Sequence, residues 1–101
     1  MEVKLSWQND TLIAELVGEI DHHSALAVRE CIDDEIRCNA PRMLILDFTG
    51  VTFMDSSGIG LVIGRFKAVS ELGGTLKVVG ASKHIAKVMK LSGIDKLGLS
   101  A

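Results

Sequence analysis

Met43-Leu44-Ile45-Leu46-Asp47-Phe48-Thr49-Gly50-Val51-Thr52-Phe53-Met54-Asp55-Ser56-Ser57-Gly58-Ile59-Gly60 reads as a strand running into a helix. Met43 to Phe48 is almost continuously apolar, the pattern of a strand buried on both sides. Thr49 to Asp55 is expected to be a connecting loop. From about Ser57 to Leu72 the apolar residues Ile59, Val62, Ile63, Phe66 and Val69 recur at helical spacing and predict one buried face, with Gly73-Gly74 as the stop. Two hydroxyls, behind one carboxylate, therefore stand where a helix begins. Unpaired backbone N–H groups and a partial positive charge make such a place hospitable to anions.

Upstream, Val3 to Trp7 and Thr11 to Val17 read as strands joined by the polar turn Gln8-Asn9-Asp10, hence a hairpin that Gly18-Glu19-Ile20-Asp21 ends. A helix is predicted from His22 or His23 to Cys38, with Asp21 or Ser24 as N-cap. Its apolar stripe is Val28, Ile32 and Ile36, with Ala25 and Cys31 beside it; Arg29, Glu30, Asp33, Asp34 and Arg37 are wet, and Asn39-Ala40-Pro41 is the stop. Downstream, Thr75 to Val79 is a strand. Ser82 caps a helix reaching about Leu91, with Ile85, Val88 and Met89 inward, and Gly93 ends it. Ile94 to Ala101 is expected to add a short strand or irregular cover. The order β-β-α-β-α-β-α predicts one α/β domain spanning residues 1–101, a small mixed sheet of four or five strands with three to four packed helices.

The 101 residues, 48% apolar, suffice for one core without staples. A net charge of −2 and 4% aromatic residues give no electrostatic footprint or stacking platform for nucleic acid, nor a basic face for a membrane. The opening Met-Glu-Val-Lys does not read as a secretory leader and no stretch reads as an apolar span, so a soluble, cytoplasmic protein is expected. Cys31 and Cys38 share one predicted helix at a separation of about 10.5 Å along its axis, too far for a disulfide. They are expected to be buried or half-buried thiols. No Cys/His spacing suits a metal, and no cofactor is expected.

Gly58, Gly60 and Gly64 each cost a helix about 1 kcal/mol relative to alanine. Close packing would explain them, and so would a smooth patch open to a partner backbone. Their spacing, Gly-x-Gly-x-x-x-Gly, does not fit the dinucleotide fingerprint, and the Gly-Lys-Ser/Thr of a phosphate loop is absent. Ser56 lacks the Gly-x-Ser-x-Gly elbow of hydrolases. Ser56 and Ser57 could serve simply as caps, but Asp55 caps equally well and leaves a hydroxyl over. The loop Gly18-Glu19-Ile20-Asp21-His22-His23-Ser24 is of the same strand-to-helix type. If its strand lies parallel and next to the one before Asp55, the two loops form one acidic, hydroxyl-bearing surface.

At these two loops the chain resembles the anti-sigma factor antagonists of the STAS domain family, most closely the sporulation sigma-F branch. The matching pieces are Leu16 to His23 and Val51 to Lys67, with agreement at Gly73-Gly74 and at Met89-x-x-Ser92-Gly93. The resemblance implies partner switching rather than catalysis. Ser56 would accept phosphate from an anti-sigma factor that is an ATP-dependent serine kinase. The unmodified form would bind the ADP-loaded kinase and free its sigma factor, and a serine phosphatase would reset the modified form. It further places Asp21 on the kinase-binding surface; Asp55, Ser57, Gly58 and Gly60 are expected to share that surface, and no catalytic or metal-binding residue is expected. The free protein is expected to be monomeric. Being slightly shorter at its C-terminus than some relatives, the chain is not expected to carry their last helix in full. The alternatives are a stress-pathway STAS antagonist, against which Asp21-His22-His23 argues, and a small serine-dependent or nucleotide-binding enzyme.

Overall fold

The computed structural model describes residues 1–94. Strands β1 (Glu2–Gln8), β2 (Thr11–Ile20), β3 (Met43–Met54) and β4 (Thr75–Val79) form one sheet in the order β1-β2-β3-β4. Helices α1 (His22–Asn39), α2 (Ser56–Glu71) and α3 (Lys83–Leu91) follow β2, β3 and β4. β1 and β2 are antiparallel, paired from Glu2↔Val17 to Gln8↔Thr11, so the hairpin turn is only Asn9-Asp10, with Asn9 in the left-handed region at φ 57°. The pairs β2–β3 and β3–β4 are parallel. The predicted element order and mixed sheet hold, with four strands and three helices among the described residues. The expectation of a further strand or cover at the C-terminus falls on residues 95–101, outside the described ones.

Leu12, Ala14, Leu16 and Ile20 of β2, Leu44, Leu46, Phe48, Val51 and Met54 of β3, and Leu76 and Val78 of β4 point into one core. Val28, Ile32 and Ile36 of α1, Leu61, Val62 and Val69 of α2, and Ile85 and Met89 of α3 complete it. Burying such a side chain contributes about 1.5–3 kcal/mol, so this single cluster carries most of the folding free energy.

Four sequence-based expectations need correction. β3 is not buried on both sides: Met43, Ile45 and Asp47 are half-buried, and only the alternate residues are sealed. β2 runs on to Ile20, and β3 to Met54, where a loop from Thr49 was expected. The reason is pairing between these polar, glycine-containing stretches, Val17↔Gly50, Gly18↔Val51, Glu19↔Phe53 and Ile20↔Met54. β3 uses one residue more than β2 between Asp47 and Gly50, and again between Val51 and Phe53. These irregularities put Phe48, Val51 and Met54 on the buried face at intervals of three, which a search for strict alternation misses.

On α2, Leu61 and Arg65 belong to the buried face, whereas Ile59, Ile63 and Phe66 are half-buried. Arginine reads as a wet residue in sequence; here α1 supplies Asp33 as its partner. Cys31 and Cys38 are free thiols and both exposed, against the expectation of burial, because the α1 stripe is narrow and passes them by. α2 ends as predicted at the glycines: Leu72 is the C-cap, Gly73 takes φ 82°, and Gly74 N–H reaches back to the Val69 carbonyl at 2.9 Å.

Candidate functional site

β2 and β3 end side by side, Ile20 opposite Met54, so the next residues, Asp21 and Asp55, emerge at the same edge of the sheet. Asp55 N–H donates to the Ile20 carbonyl at 3.1 Å and ties the two loops together. The condition set by the sequence, neighbouring parallel strands, is thus met. The third strand-to-helix loop does not join them. β4 pairs with β3 only as far as Asp47↔Val79, so it turns off well below Met54.

Each aspartate starts a helix. Asp21 is the N-cap of α1: its Oδ1 accepts from Ser24 N–H at 2.8 Å, while Asp21 N–H donates to Ser24 Oγ at 3.0 Å, closing a capping box. Ser24 Oγ also donates to the Glu19 carbonyl at 3.0 Å, fastening the helix start to the end of β2. Hydrogen bonds from Ser24, backbone first and then side chain, hold the exposed Asp21 carboxyl below its ordinary pKa. Asp55 is the N-cap of α2, and its Oδ1 accepts from Ser57 N–H at 2.8 Å.

With Asp55 as cap, both serines lie inside the helix, one residue earlier than predicted. Ser56 is the first helical residue and is exposed; its hydroxyl has no hydrogen-bond partner among the described residues. Ser57 is half-buried and lines a groove. The glycines divide in role. A Cβ on Gly58 would run into Met54 Cγ and Sδ and come within 3.4 Å of Ile20 Cγ2, so this residue lets α2 sit on the strand ends. At Gly60 and Gly64 a Cβ would meet nothing within 4 Å. Intramolecular packing therefore accounts for Gly58 alone, and Gly60 is part of an open surface.

The groove lies between the first turns of α1 and α2, encloses about 340 Å³, and is lined by His22, Ala25, Leu26, Arg29, Ser57, Gly60 and Leu61. Leu26 is 50% exposed, and Phe53, just before the Asp55 cap, is 47% exposed. Deeper along the same seam Arg65, only 6% exposed, lies against Asp33 of α1, with Nε 2.8 Å from Oδ1. The pair is close but not directional: Arg65 Nε and Nη1 and Asp33 Oδ1 have no hydrogen-bond partner among the described residues. Burial lowers the Arg65 pKa, Asp33 opposes that, and the like charge of Arg29 adds to it.

Of the residues singled out in the sequence, Asp21, Asp55, Ser56, Ser57 and Gly60 share this end of the molecule, and Gly58 lies beneath them as a packing residue. Sequence reasoning passed over Leu26, Arg29 and the Arg65–Asp33 pair. All sit on helix faces that count as wet by pattern, and only the α1–α2 packing brings them together.

The STAS domain matches residues 2–99 of the chain. The anti-sigma F factor antagonist of Paenibacillus polymyxa is 30% identical over 96% of this chain and 83% of its own length. The anti-sigma-B factor antagonist of Bacillus subtilis is 33% identical over 93% of this chain and 84% of its own. Among solved structures, the anti-sigma factor antagonist SpoIIAA in its unphosphorylated form superposes with a TM-score of 0.84 at 33% identity, over 92% of this chain and 82% of that one. The Bacillus cell fate determinant SpoIIAA in the phosphorylated form gives 0.78 at 31%, over 98% and 89%.

Proposed function

The chain belongs to the STAS domain family, and from that premise we propose that it is an anti-sigma factor antagonist that works by partner switching. Ser56 is the phosphoacceptor. The unmodified protein docks on an ADP-loaded anti-sigma serine kinase through the Asp21 and Asp55 loops with Ser57 and Gly60, and the sigma factor is released. Gly58 serves the surface indirectly, by seating α2. A serine phosphatase restores the modified form. The chain acts as a single regulatory domain and kinase substrate in the cytoplasm, monomeric when free, and it neither catalyses a reaction nor binds nucleic acid or membrane. No described helix is long and apolar enough to cross a membrane.

The observation that carries this reading is the exposed hydroxyl of Ser56, without a hydrogen-bond partner among the described residues, at the first helical position behind an aspartate that already caps the helix. A hydroxyl needed as a cap would be engaged; this one is available. Phosphate brings about −1.5 to −2 charges, and at a helix N-terminus dipole and amides favour it by roughly 0.3–2 kcal/mol. The fold therefore tolerates the modification and the complex does not. Two charges about 4 Å from one partner carboxylate repel by about 8 kcal/mol at an effective dielectric near 20, before screening. About 5.5 kcal/mol is enough to swing an equilibrium from 99:1 to 1:99.

The test is peptide-resolved mass spectrometry after incubation with kinase and ATP. Phosphate is expected on Ser56, none on Ser56→Ala, and lasting kinase binding by Ser56→Ala but not by Ser56→Asp. Equal labelling of Ser56→Ala and wild type moves the acceptor, with Ser57 next in line. The sigma-B antagonist of Bacillus subtilis is about as similar as the sigma-F one of Paenibacillus polymyxa, which supports a second reading, a stress-response antagonist on the same switch. Binding measured against both kinase types separates the two.

A further inference from the structure

We propose that the α1–α2 groove is a two-part receptor on the partner-switching surface: Leu26 and Leu61 seat an apolar side chain of the anti-sigma factor, and Arg29 takes a carboxylate next to it. The proposal rests on the reading of the protein as an anti-sigma factor antagonist and names what its partner must present.

Arg29 and Asp33 are one turn apart on α1, a spacing at which an arginine and an aspartate normally meet on a helix surface. Here Asp33 is turned away to Arg65 across the helix seam, Nε to Oδ1 2.8 Å. Arg29 is left exposed at the groove wall, with no ion-pair partner among the described residues. Asp33 is thus committed to the buried Arg65, whose Nη1 has no hydrogen-bond partner among the described residues, and the charge of Arg29 is left uncompensated. A second carboxylate brought in at Arg29 balances the cluster, and desolvation on docking strengthens the attraction.

The apolar half is equally specific. Leu26 is 50% exposed on the outer turn of α1, and Gly60 leaves the opposite wall without a side chain. The groove runs directly into Ser57 and the end of the molecule that carries Ser56. An occupant that fills it therefore lies against Ser57, the residue next in the chain to the phosphoacceptor, which sets the groove beside the site of modification. A fully polar ligand such as a free nucleotide leaves the exposed Leu26 uncovered; a side chain and neighbouring carboxylate on a folded partner satisfy both halves.

The experiment is titration calorimetry of the full chain with purified anti-sigma F factor and ADP, paired with thermal melts. Arg29→Glu is expected to weaken binding roughly tenfold to a hundredfold, with the melting midpoint unchanged. Arg29→Lys should recover most of the affinity, and Leu26→Ala should weaken binding with the same unchanged melt. Wild-type affinity for Arg29→Glu, while Ser56→Asp still loses binding, overturns the groove proposal and leaves partner switching standing. Equal losses in Arg29→Lys and Arg29→Glu with lowered midpoints place Arg29 in the fold and overturn it too. Absence of binding by the wild type removes the partner-switching reading and this proposal with it.

Discussion

Asp21 and Asp55 perform the same local task at the ends of neighbouring strands, each giving its carboxylate to an N–H of the helix it starts. Asp21 is thus a cap as well as a candidate docking residue, and two substitutions separate the roles. Asparagine is as good an N-cap as aspartate, and alanine is not. Asp21→Asn should therefore keep the melting temperature and weaken kinase binding, whereas Asp21→Ala should lower the melting temperature by several degrees as well; circular dichroism melts and a binding isotherm check both. The pH dependence has a definite sign. Because the folded state holds the Asp21 pKa below its ordinary 3.8, the capping contribution is complete above that value and is lost as pH falls through the lower folded value. Melts between pH 5 and 8 should show no transition from this group.

Helix α2 shows why identical residues need not have identical causes. Gly58 is required by the close approach of Met54 and Ile20, while Gly60 has open space where a side chain would be. Gly60→Ala is expected to stabilise the isolated protein by up to about 1 kcal/mol through helix propensity and to weaken partner binding. Gly58→Ala is expected to destabilise it by about 1–3 kcal/mol, the usual range for overpacking, because Met54 must move. Urea titrations with a kinase-binding assay read both, and a Gly60→Ala protein that binds unchanged removes Gly60 from the docking surface. For strand β3 the pattern of apolar residues gave its first half. Its second half is held by backbone pairing to β2 through two irregularities, which no side-chain periodicity reports.

For the molecule as a whole, the seam between α1 and α2 ties the core to the end that carries Asp21, Asp55 and Ser56. Arg65 is buried at this seam, and Asp33 meets it there from the other helix. Asp33→Ala should destabilise the protein, by less than the roughly 3–5 kcal/mol of a fully buried pair because Asp33 is partly exposed, and should disturb the groove above it; denaturant unfolding with and without the anti-sigma factor measures both. The sequence by itself determined the element order, the strand-to-helix placement of Asp21 and Asp55, and the serine pair at a helix start, because caps, stops and apolar periodicity are local properties of the chain. Tertiary structure decided the rest. It made β2 and β3 parallel neighbours, which sets two distant loops side by side. It left Ser56 open and Ser57 half-covered, and gave Gly58 and Gly60 different work. It also drew Asp33 away from Arg29. Each of these depends on what lies across a strand or a helix seam, and residues far apart in the chain carry no local mark of who their neighbours will be.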